Sequence, residues 1–568
     1  MARWSSALIL LLAAVWLPPE GAMSVTSVSD YQSLLELWKK WRQFEPPAVE
    51  NCVPAYSTAA MSQKAPRLAA FQHQLTAIDS SGWSVAQLGD KKLVAAEMNG
   101  MDFELRVMKP WARDPSFYAN VWGEDSDVPE HEGPSIHPMI DLQSYKYPLS
   151  TADQKELTCL LGAIPALLEQ AKVNLGDSNA RDLWLYGGRA FREQSKTLAA
   201  FAAGMLEMRT LEGTKHADMT GVEQPLIDAI AKARAATDAF RAWIEAETPK
   251  KTGPSGVGKE NYDWYAKNVH LVSYNWDEQV TLLRRELSRA RASLALEEFR
   301  NRNLPPLEPV NDPQAWRAMA RAKMQTLVDF LINNHLVDDQ KNFRSAMAAQ
   351  LGDYTPPRER NFFAHGAARD PSALYSHEYH WIELARRKHQ PNPSPIRAAT
   401  PVYDMYDSRS EGLATAMEEL LMDAGLYDQS PRGREVVWAM LANRAARGLA
   451  SLYVQANEMT LEEAGKFHAL WTPRGWSDPK SDLVAFEQLL YLRQPGYGTS
   501  YITGKLELDR LISEYSFAQE QQGRKFSLPE FFRQLNASGV VPFELISADM
   551  VRGTLPIKEE RGEIEATR

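Results

Sequence analysis

The chain has 568 residues, with 73 acidic against 63 basic side chains and a formal charge of −10, a balance that excludes the basic footprint of a nucleic-acid-binding protein. At 44% hydrophobic and 24% charged residues, it is neither fibrous nor disordered in composition, and its length suits two or three packed helical regions more than one core. Two cysteines, Cys52 and Cys159, exclude a disulfide scaffold and a thiolate zinc finger; composition leaves open whether they bridge or stay free.

Residues 1–22 place Arg3 before an apolar run from Ala7 to Leu17, followed by Pro18, Pro19 and the small residues Gly21 and Ala22. The run is shorter than the roughly 18 apolar residues that span a bilayer, so it reads as a cleaved signal peptide and implies a secreted or periplasmic protein. No later run is apolar enough to cross a membrane, so no stable span is expected after cleavage.

Apolar residues then recur at helical spacing over 28–44 (Val28, Tyr31, Leu34, Leu35, Leu37, Trp38, Trp41), 157–173, 221–246 and 278–300, and these segments are expected to be amphipathic helices. A strand is expected within 93–108. Gly and Pro punctuate Thr248 to Gly258, the boundary expected between an N-terminal helical region, 23–250, and a C-terminal one, 251–557. Its glycines lack the Lys-Ser/Thr ending of a phosphate loop, so it reads as a linker. Further helices are expected over 316–334, 374–388, 410–426, 432–455, 460–471 and 504–522, and the charged stretch 558–568 is expected to be a disordered tail. The fold class is mainly α, a large multi-helix architecture with little β.

Four of the eleven histidines fall between 365 and 389: His365, His377, His380 and His389. His377 and His380 open a helix-like run, and helical residues three apart lie about 60° apart around the axis, close enough to share an ion. Zn²⁺ in a catalytic site takes three protein ligands and leaves a position for water. Glu411 is the natural third ligand, and Glu418 faces the same way two turns on, so one carboxylate could bind while the other orients a ligand histidine. In the H-E-x-x-H pattern the histidines stand four apart; here Trp381 occupies that position, and on an ideal helix Glu378 points about 160° from His380. Glu378 therefore needs a local helix distortion to serve as general base, Glu383 is a second candidate for base or ligand, and His365 and His389 are reserve ligands. The alternative for this cluster is a buried helix capped and packed by histidines, its carboxylates exposed or paired with Arg386 and Arg387. Arg409 is expected to pair with Asp404 or Asp407.

Several of these segments resemble the bacterial domain-of-unknown-function family 885. The similarity lies in Gly258-Lys259-Glu260-Asn261-Tyr262, in Ser410-Glu411-Gly412-Leu413-Ala414 with Glu418-Glu419-Leu420, in Met459-Thr460-Leu461-Glu462-Glu463-Ala464, and in Gln494-Pro495-Gly496 through Ser500-Tyr501-Ile502-Thr503-Gly504-Lys505. The resemblance implies a zincin-like helical fold with a central cleft and a zinc-dependent hydrolase of peptide or amide bonds, one Zn²⁺ per chain. It further implies His377, His380 and Glu411 as ligands, Glu378 as base, and Tyr501 as donor to a developing oxyanion. The histidine element here is shorter than the family's, and Leu413 stands where the family has Trp, so a catalytically inactive relative that binds a peptide or small ligand is the alternative. A serine esterase is a poor fit, because the chain has no G-x-S-x-G elbow.

Overall fold

The computed structural model describes residues 26–123, 139–403 and 406–551; the expected signal peptide and tail lie outside them. Helices dominate, as their spacing predicts. The N-terminal part contains α1 (Thr26–Phe44), α2 (Thr58–Ala77), α3 (Val85–Phe103), α4 (Thr151–Asn174), α5 (Arg181–Ala202) and α6 (Gln224–Glu247). Three two-stranded pairs are all the sheet among the described residues: β1 (Val49–Glu50) with β2 (Val53–Pro54), β3 (Val121–Trp122) with β4 (Ile140–Asp141), and β5 (Glu207–Thr210) with β6 (Gly213–His216). The strand expected within 93–108 is instead the second half of α3, continued by a wider helical turn over Glu104–Met108. Leu93, Val94, Ala96, Met98, Met101 and Phe103 are buried there, so burial on several sides of one helix produced a run without clear helical period. Cys52, in the turn between β1 and β2, is disulfide-bonded to Cys159 on α4, with Cα atoms 5.9 Å apart.

Past the Thr248–Gly258 segment come α7 (Lys259–Asn268), α8 (Trp276–Arg300) and α9 (Pro313–Asn333), and then the helices that carry the site. These are α10 (Ser372–His377), α11 (Tyr379–His389), α12 (Asp407–Asp423), α13 (Gly433–Gln455), α14 (Leu461–Trp471), α15 (Asp482–Arg493), α16 (Tyr497–Gln521), α17 (Leu528–Ser538) and α18 (Phe543–Val551). One hydrophobic core runs through the chain from Leu34 to Val551, crossing the 250/251 boundary, and Gly258 N–H donates to Gln455 O at 2.8 Å.

The recurring segments have physical roles in this packing. Thr460 and Glu463 form a reciprocal capping box at the start of α14, the carboxylate accepting from Thr460 N at 2.9 Å and the hydroxyl from Glu463 N at 3.2 Å. Tyr262, buried on α7, donates to Gln279 Oε1 of α8 at 2.9 Å and lies 3.0 Å from Thr499 Oγ1 of α16, pinning three helices together. Glycines let α16 lie against two others: a Cβ on Gly504 would sit 1.8 Å from Ser408 O of α12, and one on Gly498 would sit 2.6 Å from Ser451 Oγ of α13. No side chain fits at either crossing, so α12, α13 and α16 pack nearly backbone to backbone, and this closeness sets the positions of Glu411, Arg447 and Tyr501.

Candidate metal centre

The expected helix over 374–388 is broken. α10 ends at His377, α11 begins at Tyr379, and Glu378 between them has φ −63° and ψ 8°. Trp381 N–H reaches back only three residues, to Glu378 O at 3.0 Å. A local distortion is thus present at Glu378, and both histidine rings reach Glu411 of α12.

There Glu411 Oε2 lies 3.2 Å from His377 Nε2 and 3.2 Å from His380 Nε2, and one ligand atom from each of the three residues lies within 4.8 Å of the others. All three side chains are buried. Of the remaining ring nitrogens, His380 Nδ1 lies 3.1 Å from Ser410 Oγ, and His377 Nδ1 approaches Glu418 Oε1 to 3.2 Å without hydrogen-bond geometry. An outer partner such as Ser410 fixes which nitrogen of a metal-binding imidazole faces inward. Glu418 is held in turn by Arg444, at 2.7 Å and 3.0 Å. Tyr497 donates to the other oxygen of Glu411, Oε1, at 2.5 Å, leaving Oε2 for the histidine side. Burial by itself would raise the Glu411 pKa, but His380 and His377 outweigh it and hold the carboxyl well below its ordinary range.

This donor set fits Zn²⁺. Ligands of a tetrahedral zinc, about 2.05 Å from the ion, stand about 3.3 Å from one another, close to the 3.2 Å separations from Glu411 Oε2 to both imidazoles. Two imidazoles and one carboxylate are also the protein ligands of one class of catalytic zinc site.

Tyr501 stacks on His377 with ring centroids 6.0 Å apart and planes 16° from parallel, and the Arg447 guanidinium lies 4.3 Å from the Tyr501 ring centroid. Arg447 is buried and bonded to Glu487. Burial opposes its charge, but Tyr491, Glu487, Tyr501 and Glu411 around it raise its pKa above the ordinary arginine range. Behind this layer, His468 Nε2 lies 2.8 Å from Asn443 Nδ2, which can only donate to it.

Both oxygens of Glu383 accept from Arg409, at 2.6 Å and 3.0 Å, so Glu383 is one half of a buried bidentate ion pair rather than an available base, and Arg409 pairs with Glu383 instead of Asp407; Asp404 lies outside the described residues. Glu378 is half-buried at the helix break, where its charge adds to burial in raising the Tyr375 pKa. His365 stacks on Trp476, centroids 6.0 Å apart, and His389 is exposed. The sequence pattern does not single out Tyr497, Ser410, Arg444 or Arg447. Only Tyr497 carries a signal there, standing four residues before Tyr501 on one helical face.

Residues 374–550 match the model of the DUF885 family. DUF885 is a family of bacterial proteins of unknown function, and the matched segment contains His377, His380, Glu411, Glu418, Tyr497 and Tyr501. No curated protein matches the chain. Two solved structures share its fold over nearly their whole length. One is a putative lipoprotein of unknown function from Shewanella oneidensis, at 14% identity and a TM-score of 0.62, covering 93% of this chain and 99% of that one. The other is a putative lipoprotein from Colwellia psychrerythraea, at 16% identity and a TM-score of 0.61, covering 92% and 98%. The fold shared with these structures therefore extends well beyond the matched segment. Among the described residues no helix is long and apolar enough to cross a membrane.

Proposed function

We propose that the protein is an exported, zinc-dependent hydrolase of peptide or amide bonds. The observation that carries this reading is the convergence of His377 Nε2 and His380 Nε2 on one oxygen of Glu411, with Ser410, Glu418 and Tyr497 occupying the far side of each ligand. Export is supported by the amino-terminal signal-like segment and by the description of both structural relatives as lipoproteins.

A bound Zn²⁺ would polarise a substrate carbonyl and lower the pKa of a water molecule to about 7. The protein's part is to hold two neutral imidazoles and one ionised carboxylate in place. Tyr497 keeps Glu411 from rotating, and the Arg444–Glu418 pair lies beside His377 Nδ1. Tyr501, between His377 and Arg447, is the residue assigned to donate to a developing oxyanion. Glu378, next to His377 at the helix break, is the group assigned to take the proton from water, and Glu383 is committed to Arg409.

A screen of a peptide library at near-neutral pH tests the reading. Cleavage by the purified protein should exceed that of a metal-stripped control and disappear in His377→Ala and Glu411→Ala. Full activity in either variant would overturn the assignment. The locked state of Glu383 favours one second reading, a non-catalytic member of the fold that binds a peptide or small ligand; it predicts ligand-induced thermal stabilisation without turnover.

A further inference from the structure

A cavity of about 540 Å³, none of whose lining residues belongs to the triad, is lined by α11, the turn that follows it, α17 and the 335–338 loop. Five arginines line it, Arg386, Arg387, Arg397, Arg409 and Arg533, against two carboxylates, Glu383 and Asp338. Three of the cations are already matched. Arg397 lies between Asp90 at 2.7 Å and Asp549 at 2.6 Å, Arg533 is paired with Glu530, and Arg409 with Glu383.

Arg386 and Arg387 differ. Both are half-buried, and among the described residues neither has a carboxylate partner. Arg386 donates to Asn536 Oδ1 at 3.1 Å; Arg387 donates to Ala399 O at 3.1 Å and Thr400 Oγ1 at 3.4 Å. Each uses one terminal nitrogen in these bonds, and the guanidinium groups also lie over the Phe343 and Tyr406 rings, 5.4 Å and 5.8 Å from the centroids.

The last turn of α11 accounts for basic residues in general, because cations are favoured at a helix C-terminus. It does not account for a concave site lined by two guanidinium groups that have no carboxylate partner. Guanidinium forks match the paired oxygens of carboxylate and phosphate groups, and the volume is that of a small-molecule pocket rather than a macromolecular surface. We propose that this cavity binds a small dianion carrying phosphate or carboxylate groups, held by Arg386 and Arg387 at a site separate from the metal centre.

Isothermal titration of the mature protein with inorganic phosphate, and separately with succinate, tests this at low salt. At least one probe should bind once per chain with a Kd below about 1 mM, weaken by about tenfold or more in the Arg386→Gln/Arg387→Gln double variant, and weaken as salt is added. Binding of phosphate alone, or of succinate alone, identifies the chemical group and supports the site. Retention in His377→Ala separates it from the metal centre. Binding that is lost in His377→Ala but kept in the double variant would place the anion at the triad and overturn the proposal, as would no binding of either probe up to about 10 mM.

Discussion

Substituting Gly504 with alanine probes the helix crossing on which the metal centre rests. The added Cβ would lie 1.8 Å from Ser408 O and 2.8 Å from Gly412 Cα. An ordinary carbon–oxygen contact is about 3.3 Å, so α12 and α16 must separate by about 1.5 Å at a point where both partners are backbone and cannot rotate away. Overpacking of well-packed cores costs about 1–3 kcal/mol and more where backbone must move, so a loss of about 3 kcal/mol or more is expected in urea unfolding. Glu411 is next to Gly412, and Tyr497 lies two turns before Gly504, so the same shift should pull the Glu411–Tyr497 bond apart and weaken zinc retention against a chelator. Gly162 is the control. It lies inside α4, and a Cβ there would meet nothing within 4 Å, so Gly162→Ala should stabilise by about 0.5–1 kcal/mol through helix propensity alone. A Gly504→Ala protein within about 0.5 kcal/mol of the parent, with unchanged zinc affinity, would refute the close-crossing account.

Three further outcomes are expected. Tyr497→Phe removes a hydrogen bond to a charged oxygen, about 1.5–3 kcal/mol, and should lower zinc affinity in chelator competition while the fold, followed by circular dichroism, stays intact. Arg409→Met strands the buried Glu383 carboxylate and should cost about 3–5 kcal/mol, whereas adding Glu383→Gln should recover most of it; if Glu383 were the catalytic base, the double variant would lose turnover instead of keeping it. Burial holds His270, and burial with Arg447 holds His468, at a pKa of about 3, below the ordinary value of 6.5. The unfolded chain therefore takes up these protons first, so their stabilising contribution is complete above pH 6.5 and is lost as pH falls toward 3. At pH 5 the two together amount to about 4 kcal/mol, and urea unfolding at pH 7 and pH 5 should show a drop that is smaller in His270→Asn.

The triad was legible because histidine is sparse in this chain and its local density, followed by a carboxylate-bearing helix, has few ordinary explanations. His377, His380 and Glu411 meet as that pattern suggests, and Glu418 approaches His377 to 3.2 Å, on the same side of its helix as Glu411. The helix break at Glu378 was legible only as a requirement, since the ideal α-helix misdirects the residues around it. Tyr497 was hidden by Gly498 and Gly504, which look like helix breakers in the sequence and moved the expected start of the last long helix to 504; in the fold they are close-packing positions inside α16. Arg444 and Arg447 lie on α13, which is buried on all sides and so has no amphipathic period to mark its inner face. Arg409 chose Glu383 over its sequence neighbours because the long-range pair offers a bidentate fork, a preference that short sequence separation cannot reveal.

The central claim is that His377, His380 and Glu411 hold a zinc ion. Elemental mass spectrometry of mature protein, purified without an affinity metal and compared with His377→Ala, tests it most directly. About one zinc per chain in the parent and none in the variant is the predicted result. No zinc in the parent, even after incubation with the metal and removal of excess, would contradict it and leave the three side chains as a buried histidine–carboxylate cluster.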